Sequence, residues 1–388
     1  MPHNTPLRQL SLLYLLYFCS LGATLPYLPL VFESRGLTAT EISWLMTLLP
    51  LSNIFVPPIW GVIADRLRSR SRLLRACLLG YGVAVIGLVF SWGFASTLLV
   101  MIGIGVFRSP VTSLTDAITH AQLEGSLHLF GRIRLWGSVG FFLGSICFGF
   151  IYDFTSQELA LSATAILVLA SGILIPTIDS PTSNAALSFN AILEAAHTFF
   201  RHPPAILLLI SVFFYYNAHS TFDAYFGLHA RALGISDTWI GLCWGVGVGT
   251  EVILMHFAPR FLPRFNPLAL LVGCGLIAMA RWTLLAYLDD ATAIMLTQPL
   301  HAVTFGLYYL CLTNWVQSRV PPTIRATIQS ITLGVMSLGM ISGYLWGGQL
   351  LEKTHGANLF ATAAQVAAVG TLFFVLTWMS QRRSEAQI

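Results

Sequence analysis

Residues 61–72 read Gly61-Val-Ile-Ala-Asp65-Arg66-Leu-Arg68-Ser-Arg70-Ser-Arg72, and they separate two apolar runs, 42–64 and 73–93. About 20 apolar residues are enough to cross a bilayer as a helix. Arg75 follows, so five arginines crowd the passage from one run to the next. Short arginine-rich loops of this kind stay on the cytoplasmic side of a membrane. One stretch therefore gives two spans, the hairpin between them and the side on which that hairpin lies.

The same alternation extends in both directions. Apolar runs predict spans at 9–32, 42–64, 73–93, 97–121, 134–154, 158–178, 205–230, 238–258, 268–288, 292–316, 326–350 and 357–380. The first run has no cleavage site after it and is expected to stay as a span. Arginines follow every second span: Arg132 and Arg134, Arg260 and Arg264, Arg319 and Arg325, Arg382 and Arg383. The alternate loops carry Glu33, Asp153, Glu158, Asp237, Asp289 and Asp290. Both termini are thus expected in the cytoplasm, as for a multi-pass protein of a bacterial inner membrane. Charged residues make up 9% of the chain, against about 25% in a soluble domain. With 388 residues, twelve spans leave no room for a soluble domain, and the expected class is an all-α polytopic membrane protein.

The longest connection lies midway, over 179–204. Ser180-Pro-Thr-Ser-Asn184 is a polar linker, and Phe189, Ile192, Leu193, Ala196 and Phe200 recur at helical spacing, as in a helix lying on the membrane surface. This organisation predicts a six-helix lobe over 1–178, a cytoplasmic linker over 179–204 and a second six-helix lobe over 205–388. Two such lobes around a midplane site are the plan of a secondary transporter.

Other classes fit poorly. No glycine-rich nucleotide loop with a lysine is present, which argues against an ATP-driven pump. No filter repeat or charged ring marks a channel, and no nucleophile and base stand in catalytic order, so no enzyme is expected. The six cysteines are scattered through apolar runs and read as small packers. The net charge of +4 comes from 19 arginines and Lys353 at membrane boundaries, and it gives no reason to expect nucleic acid. Glycines crowd the fifth, eighth and eleventh spans, either for close helix packing or as surfaces that slide.

The loop at Gly61, Asp65, Arg66 and Arg70 resembles the cytoplasmic motif of the major facilitator superfamily. The resemblance implies that Asp65 caps a helix or pairs with an arginine to latch one conformation, while Arg68 replaces a usual glycine. Further blocks run through the chain: Gly22-Ala-Thr-Leu-Pro-Tyr-Leu-Pro29, Ser109-Pro-Val-Thr-Ser-Leu-Thr-Asp-Ala117, Phe130-Gly-Arg-Ile-Arg-Leu-Trp-Gly-Ser-Val139, Ala218-His219, Glu251-Val-Ile, Arg281-Trp282, Leu300-His301 and Thr304-Phe305. Together they resemble the 3-phenylpropionate permease branch, related to the lactose permease and its oligosaccharide:proton symporters.

That resemblance gives the intramembrane charges expected roles. Asp116 and Arg134 match an acid and arginine that hold substrate, with a static salt bridge as the plainer reading. Phe141 takes the place of an aromatic platform. Arg108 has no counterpart and either binds an anion or pairs structurally. His219 and Asp223 lie one turn apart in the seventh span, and with the preceding residues they form the expected substrate-binding set. Glu251, Arg281 and His301 form the expected proton-coupling set, with Asp116 or Asp223 as the other acids; a lysine and an acid of the lactose permease are replaced by Gln298 and Thr304. His229 and His256 are expected at the membrane interface. Tyr215, Tyr216, Trp244, Trp282, Tyr308 and Tyr309 either line a cavity or pack.

The expected function is a proton-coupled symporter importing a small organic solute, such as the aromatic acid phenylpropionate, by alternating access. A proton-driven efflux antiporter for lipophilic compounds, a sugar or nucleoside symporter of the same fold, and a membrane sensor are the alternatives. The expected partners are substrate, proton and lipid, the expected state is a monomer, and no cofactor or metal is expected beyond the coupling proton.

Overall fold

The computed structural model describes residues 5–67, 69–123, 127–173, 175, 194, 197, 199, 201, 203–320 and 324–386. Its elements are helices, and ten of the described helical segments are long and apolar enough to cross a membrane. They are interleaved with a shorter apolar helix at Gln157–Ile173, and an interrupted helical stretch over 291–319 lies where the tenth span was expected.

The first compact unit comprises Met1–Ser183 with Ala230–Val248. It begins with α1 (Thr5–Thr24) and α2 (Leu28–Ser34), where one continuous span was expected. Pro26 has no N–H to donate and cannot continue a helical ladder. The turn is fixed by Tyr27, whose hydroxyl donates to the Ser145 carbonyl at 2.5 Å. Next come α3 (Ala39–Leu67), α4 (Arg70–Phe90), α5 (Phe94–Arg108) and α6 (Val111–Gln122). The fourth expected span is likewise broken, at Ser109-Pro110. The unit continues with α7 (Leu127–Phe154) and α8 (Gln157–Ile173).

Helix α1 packs chiefly on α7, and α4 packs between α5 and α8. Glycines explain the first contact. A methyl group added at Gly140 would collide with the Leu15 carbonyl, and one at Gly144 with the Cys19 carbonyl. The two backbones approach as only small residues allow, so the packing reading of these glycines is the one the geometry supports.

The second unit comprises Asn184–His229 with Gly249–Ile388. Its helices are α9 (Pro203–Ala232), α10 (Asp237–Phe261), α11 (Pro267–Tyr287), α12 (Ala291–Thr297), α13 (Tyr308–Arg319), α14 (Arg325–Lys353) and α15 (Gly356–Ala386). The last residues of α9 and the first half of α10 fall in the first unit. Helix α11 packs chiefly on α15. Gly339 and Gly343 of α14 lie against α9 at the Phe213 and Asn217 carbonyls, repeating in this unit the α1–α7 device.

Between α12 and α13 the chain is not a regular α-helix. Gln298–Leu300 is a 3₁₀ turn and Ala302–Leu307 is a π-helix. Pro299 removes one ladder donor, and π-bulges are frequent at functional sites.

Two expectations about loops fall outside the described residues. One is the surface helix over 189–201, apart from four isolated positions, and the other is the Asp65 side chain with residue 68. Of the same motif, Gly61 and Arg66 are exposed near the end of α3, and Arg70 opens α4 just after its cap, Ser69.

Candidate transport site

In the first unit the expected Asp116–Arg134 pair is mediated rather than direct. Both side chains are half-buried, and no ion pair within 4.0 Å joins them among the described residues. Tyr14 of α1 stands between. Its hydroxyl donates to Asp116 Oδ1 at 2.5 Å. The Arg134 guanidinium lies 5.6 Å from the Tyr14 ring centroid and 4.2 Å from that of Phe18. A cation over an aromatic face is attracted by the ring quadrupole. The direct salt bridge is absent because α1 packs against both α6 and α7 and sets the Tyr14 hydroxyl on Asp116 and the Tyr14 and Phe18 rings beside Arg134. Tyr14 and Phe18 were missed because an aromatic pair four residues apart in a span is an ordinary packing signal.

Arg108 ends α5 beside Tyr17 and Tyr81, in a narrow crevice with Thr24, Leu49 and Ile104. Its Nε is buried without a hydrogen-bond partner, and no carboxylate lies within 4.0 Å of it among the described residues. Arg108 and Asp116 form no ion pair among the described residues. Phe141 is half-buried, with its ring centroid 6.1 Å from that of Trp244.

The second unit gathers the remaining candidates. Arg281 is fully buried. One Nη atom donates to Thr304 Oγ1 at 3.0 Å and lies 3.2 Å from Nδ1 of His301. The other donates to Gln298 Oε1 at 2.8 Å. The two residues that replace a lysine and an acid are therefore acceptors for this guanidinium. A guanidinium only donates, so His301 Nδ1 is the acceptor. The imidazole proton is then on Nε2, which faces Glu251 Oε2 at 3.6 Å. Glu251 reaches this position because residue 306 is glycine: a methyl group there would come within 2.8 Å of the Glu251 Cγ. The Phe222 and Trp282 rings cover Arg281, at 4.4 and 4.9 Å.

His219 is buried in the same cluster, 3.9 Å from Asp223 Oδ1 through Nε2. Its ring centroid is 5.9 Å from that of His301. Tyr215 stacks on Tyr308 at 4.0 Å and donates to the Thr304 carbonyl at 2.6 Å. Tyr215, Tyr308 and Trp282 are buried packing residues rather than cavity lining. His229, expected at the interface, is buried instead, with Nε2 3.1 Å from the Leu285 carbonyl and its ring covered by Gly356. His256 is exposed.

The arrangement sets charges against neutral acceptors and aromatic faces inside an apolar helical bundle. The description "MFS_1 like family" matches residues 7–362. The chain belongs to that family. It is a major facilitator superfamily transporter, not an enzyme, and a multi-pass membrane protein that handles a small molecule. It is 27% identical to the maltose permease of Geobacillus stearothermophilus over 96% of this chain and 94% of that one. It is 26% identical to the probable 3-phenylpropionic acid transporter of Escherichia coli (strain K12), over 87% and 91%. Among solved structures, the nucleoside transporter NupG superposes with a TM-score of 0.83 at 20% identity, covering 96% of this chain and 98% of that one.

Proposed function

We propose that this protein is a proton-coupled symporter of the inner membrane, with both termini cytoplasmic, working as a monomer. It imports an aromatic carboxylic acid of the phenylpropionate type by alternating access between lobes at 1–178 and 205–388. The observation that carries the reading is the buried Glu251–His301–Arg281 chain. A carboxylate faces an imidazole whose other nitrogen is held by a guanidinium. Intramembrane ionisable groups of this kind mark ion and proton pathways, and here Glu251 is the proton acceptor. Arg134 and Arg108 attract the substrate carboxylate, while Tyr14, Phe18 and Phe141 offer apolar faces to its ring. Asp116, held by Tyr14, orients the bound solute. The similarity to a probable 3-phenylpropionic acid transporter supports the substrate class.

A sugar or nucleoside as the solute is the second reading, favoured by the similarity to a maltose permease. Proteoliposome uptake separates the readings. Labelled phenylpropionate, maltose and uridine are offered with and without an inward proton gradient, to wild type and Glu251→Gln. Gradient-driven accumulation of phenylpropionate, reduced to equilibration in Glu251→Gln, is the expected result. Accumulation of maltose or uridine alone overturns the substrate, and proton-driven export against an inward-directed solute gradient overturns the direction.

A further inference from the structure

Among its described residues the second unit holds two carboxylate–imidazole pairs, of which the proposed coupling uses one. Glu251 Oε2 faces His301 Nε2 at 3.6 Å, and Asp223 Oδ1 faces His219 Nε2 at 3.9 Å. Both separations exceed a direct hydrogen bond. Arg281 bonds His301 and acts electrostatically on His219, and among the described residues Tyr215, Tyr216 and Tyr308 are titratable groups packed around the two rings. Tyr216 lies near both carboxylates.

Counting charge shows what the cluster needs. Two carboxylates, one guanidinium and two neutral imidazoles sum to minus one. Net charge in a low-dielectric interior is costly unless compensated. The first proton restores neutrality and either pair can take it; the second leaves a net charge of plus one and therefore binds at lower pH than the first.

The hydrogen bonds also keep the pairs apart. His301 Nδ1 accepts from Arg281 and its Nε2 already carries the imidazole proton, so that ring has no free nitrogen to pass a further proton on. His219 Nδ1 is buried without a hydrogen-bond partner. The two imidazoles therefore share no hydrogen-bonded wire through that nitrogen, although their centroids are 5.9 Å apart.

We propose that Asp223–His219 is a second proton-binding site, separate from Glu251–His301, so that the cluster loads up to two protons, one on each pair. The inference rests on the proposed proton coupling for its use, but proton binding tests it without any transport. At each site the proton comes from water, adds to the carboxylate oxygen and is returned to water on release.

The test is infrared difference spectroscopy of the purified full-length protein in liposomes, titrated with acid without substrate. Wild type should show two titrating carboxyl C=O signals that respond to these residues. Asp223→Asn should remove one and Glu251→Gln the other, with the double variant losing both. His219→Gln should move the midpoint of the Asp223 signal by about one pH unit, roughly a tenfold change in proton affinity, and leave the Glu251 signal in place. If Asp223→Asn proves unstable, Asp223→Glu keeps the carboxyl and should shift its signal without abolishing it. The proposal is overturned if Asp223→Asn removes no signal, or if both single variants remove the same one. Two intact signals without proton-driven uptake would sink the symport reading and leave the second site standing.

Discussion

Arg281 holds Nδ1 of His301 at 3.2 Å, and in doing so it fixes the imidazole proton on the nitrogen that faces Glu251. The guanidinium reaches Thr304 and Gln298 at the same time, so one side chain organises three acceptors. Lysine cannot present that planar fork.

Arg281→Lys should therefore leave two of the three acceptors unsatisfied in a buried site. Each costs about 1–3 kcal/mol. The expected outcome is a lower melting temperature in detergent and loss of gradient-driven uptake. Wild-type stability with unchanged coupling would remove Arg281 from the proton pathway.

Tyr14→Phe separates two functions of one residue. It deletes the 2.5 Å bond to Asp116 and keeps the ring beside Arg134. A hydrogen bond to a charged group contributes about 1.5–3 kcal/mol, so substrate affinity should fall about ten- to hundredfold while expression and fold are kept. Tyr14→Leu also removes the aromatic face and should weaken binding further. Substrate titration by tryptophan fluorescence measures both, and unchanged affinity in Tyr14→Phe would make the bond purely structural.

Gly140→Leu and Gly144→Leu should abolish stable protein, because the added side chains meet the Leu15 and Cys19 carbonyls of α1. Gly61→Ala and Gly131→Ala meet nothing within 4 Å and should be tolerated. Size-exclusion profiles of fluorescent fusions report the contrast. A monodisperse Gly140→Leu would mean that α1 and α7 separate readily.

Asp153 caps α10 from a distance in sequence. Its carboxylate accepts from the Asp237 and Thr238 backbone N–H groups at 2.9 and 2.8 Å. An anion at a helix N-terminus is stabilised by the unpaired donors and the macrodipole there. Asp153→Ala should cost about 1 kcal/mol, and Asp153→Asn less, because one acceptor oxygen survives. Thermal melts of the two variants check the order, and equal melts would show that the cap contributes nothing.

The number and order of the spans were legible in the residues alone, because the solvent sets that answer. Some 20 apolar residues between arginine-rich turns cross a bilayer whatever packs beside them. The charged residues worth examining were legible too, since a charge inside an apolar run is costly enough to be kept for a purpose. Their partners were another matter. That Asp116 meets Arg134 through Tyr14, that Gln298 and Thr304 accept from Arg281, and that His229 is buried against Leu285 depends on which faces of distant helices are turned together. Period 3.6 says that a helix has faces, not which neighbour each one meets. The breaks at Pro26 and Pro110 and the π-turn at 302–307 were decided the same way, because three other prolines, Pro50, Pro57 and Pro58, lie inside the unbroken α3. Whether a missing ladder bond ends a helix depends on what tertiary contact is available to hold the turn, and at residue 26 that contact is the Tyr27 hydroxyl on the carbonyl of Ser145.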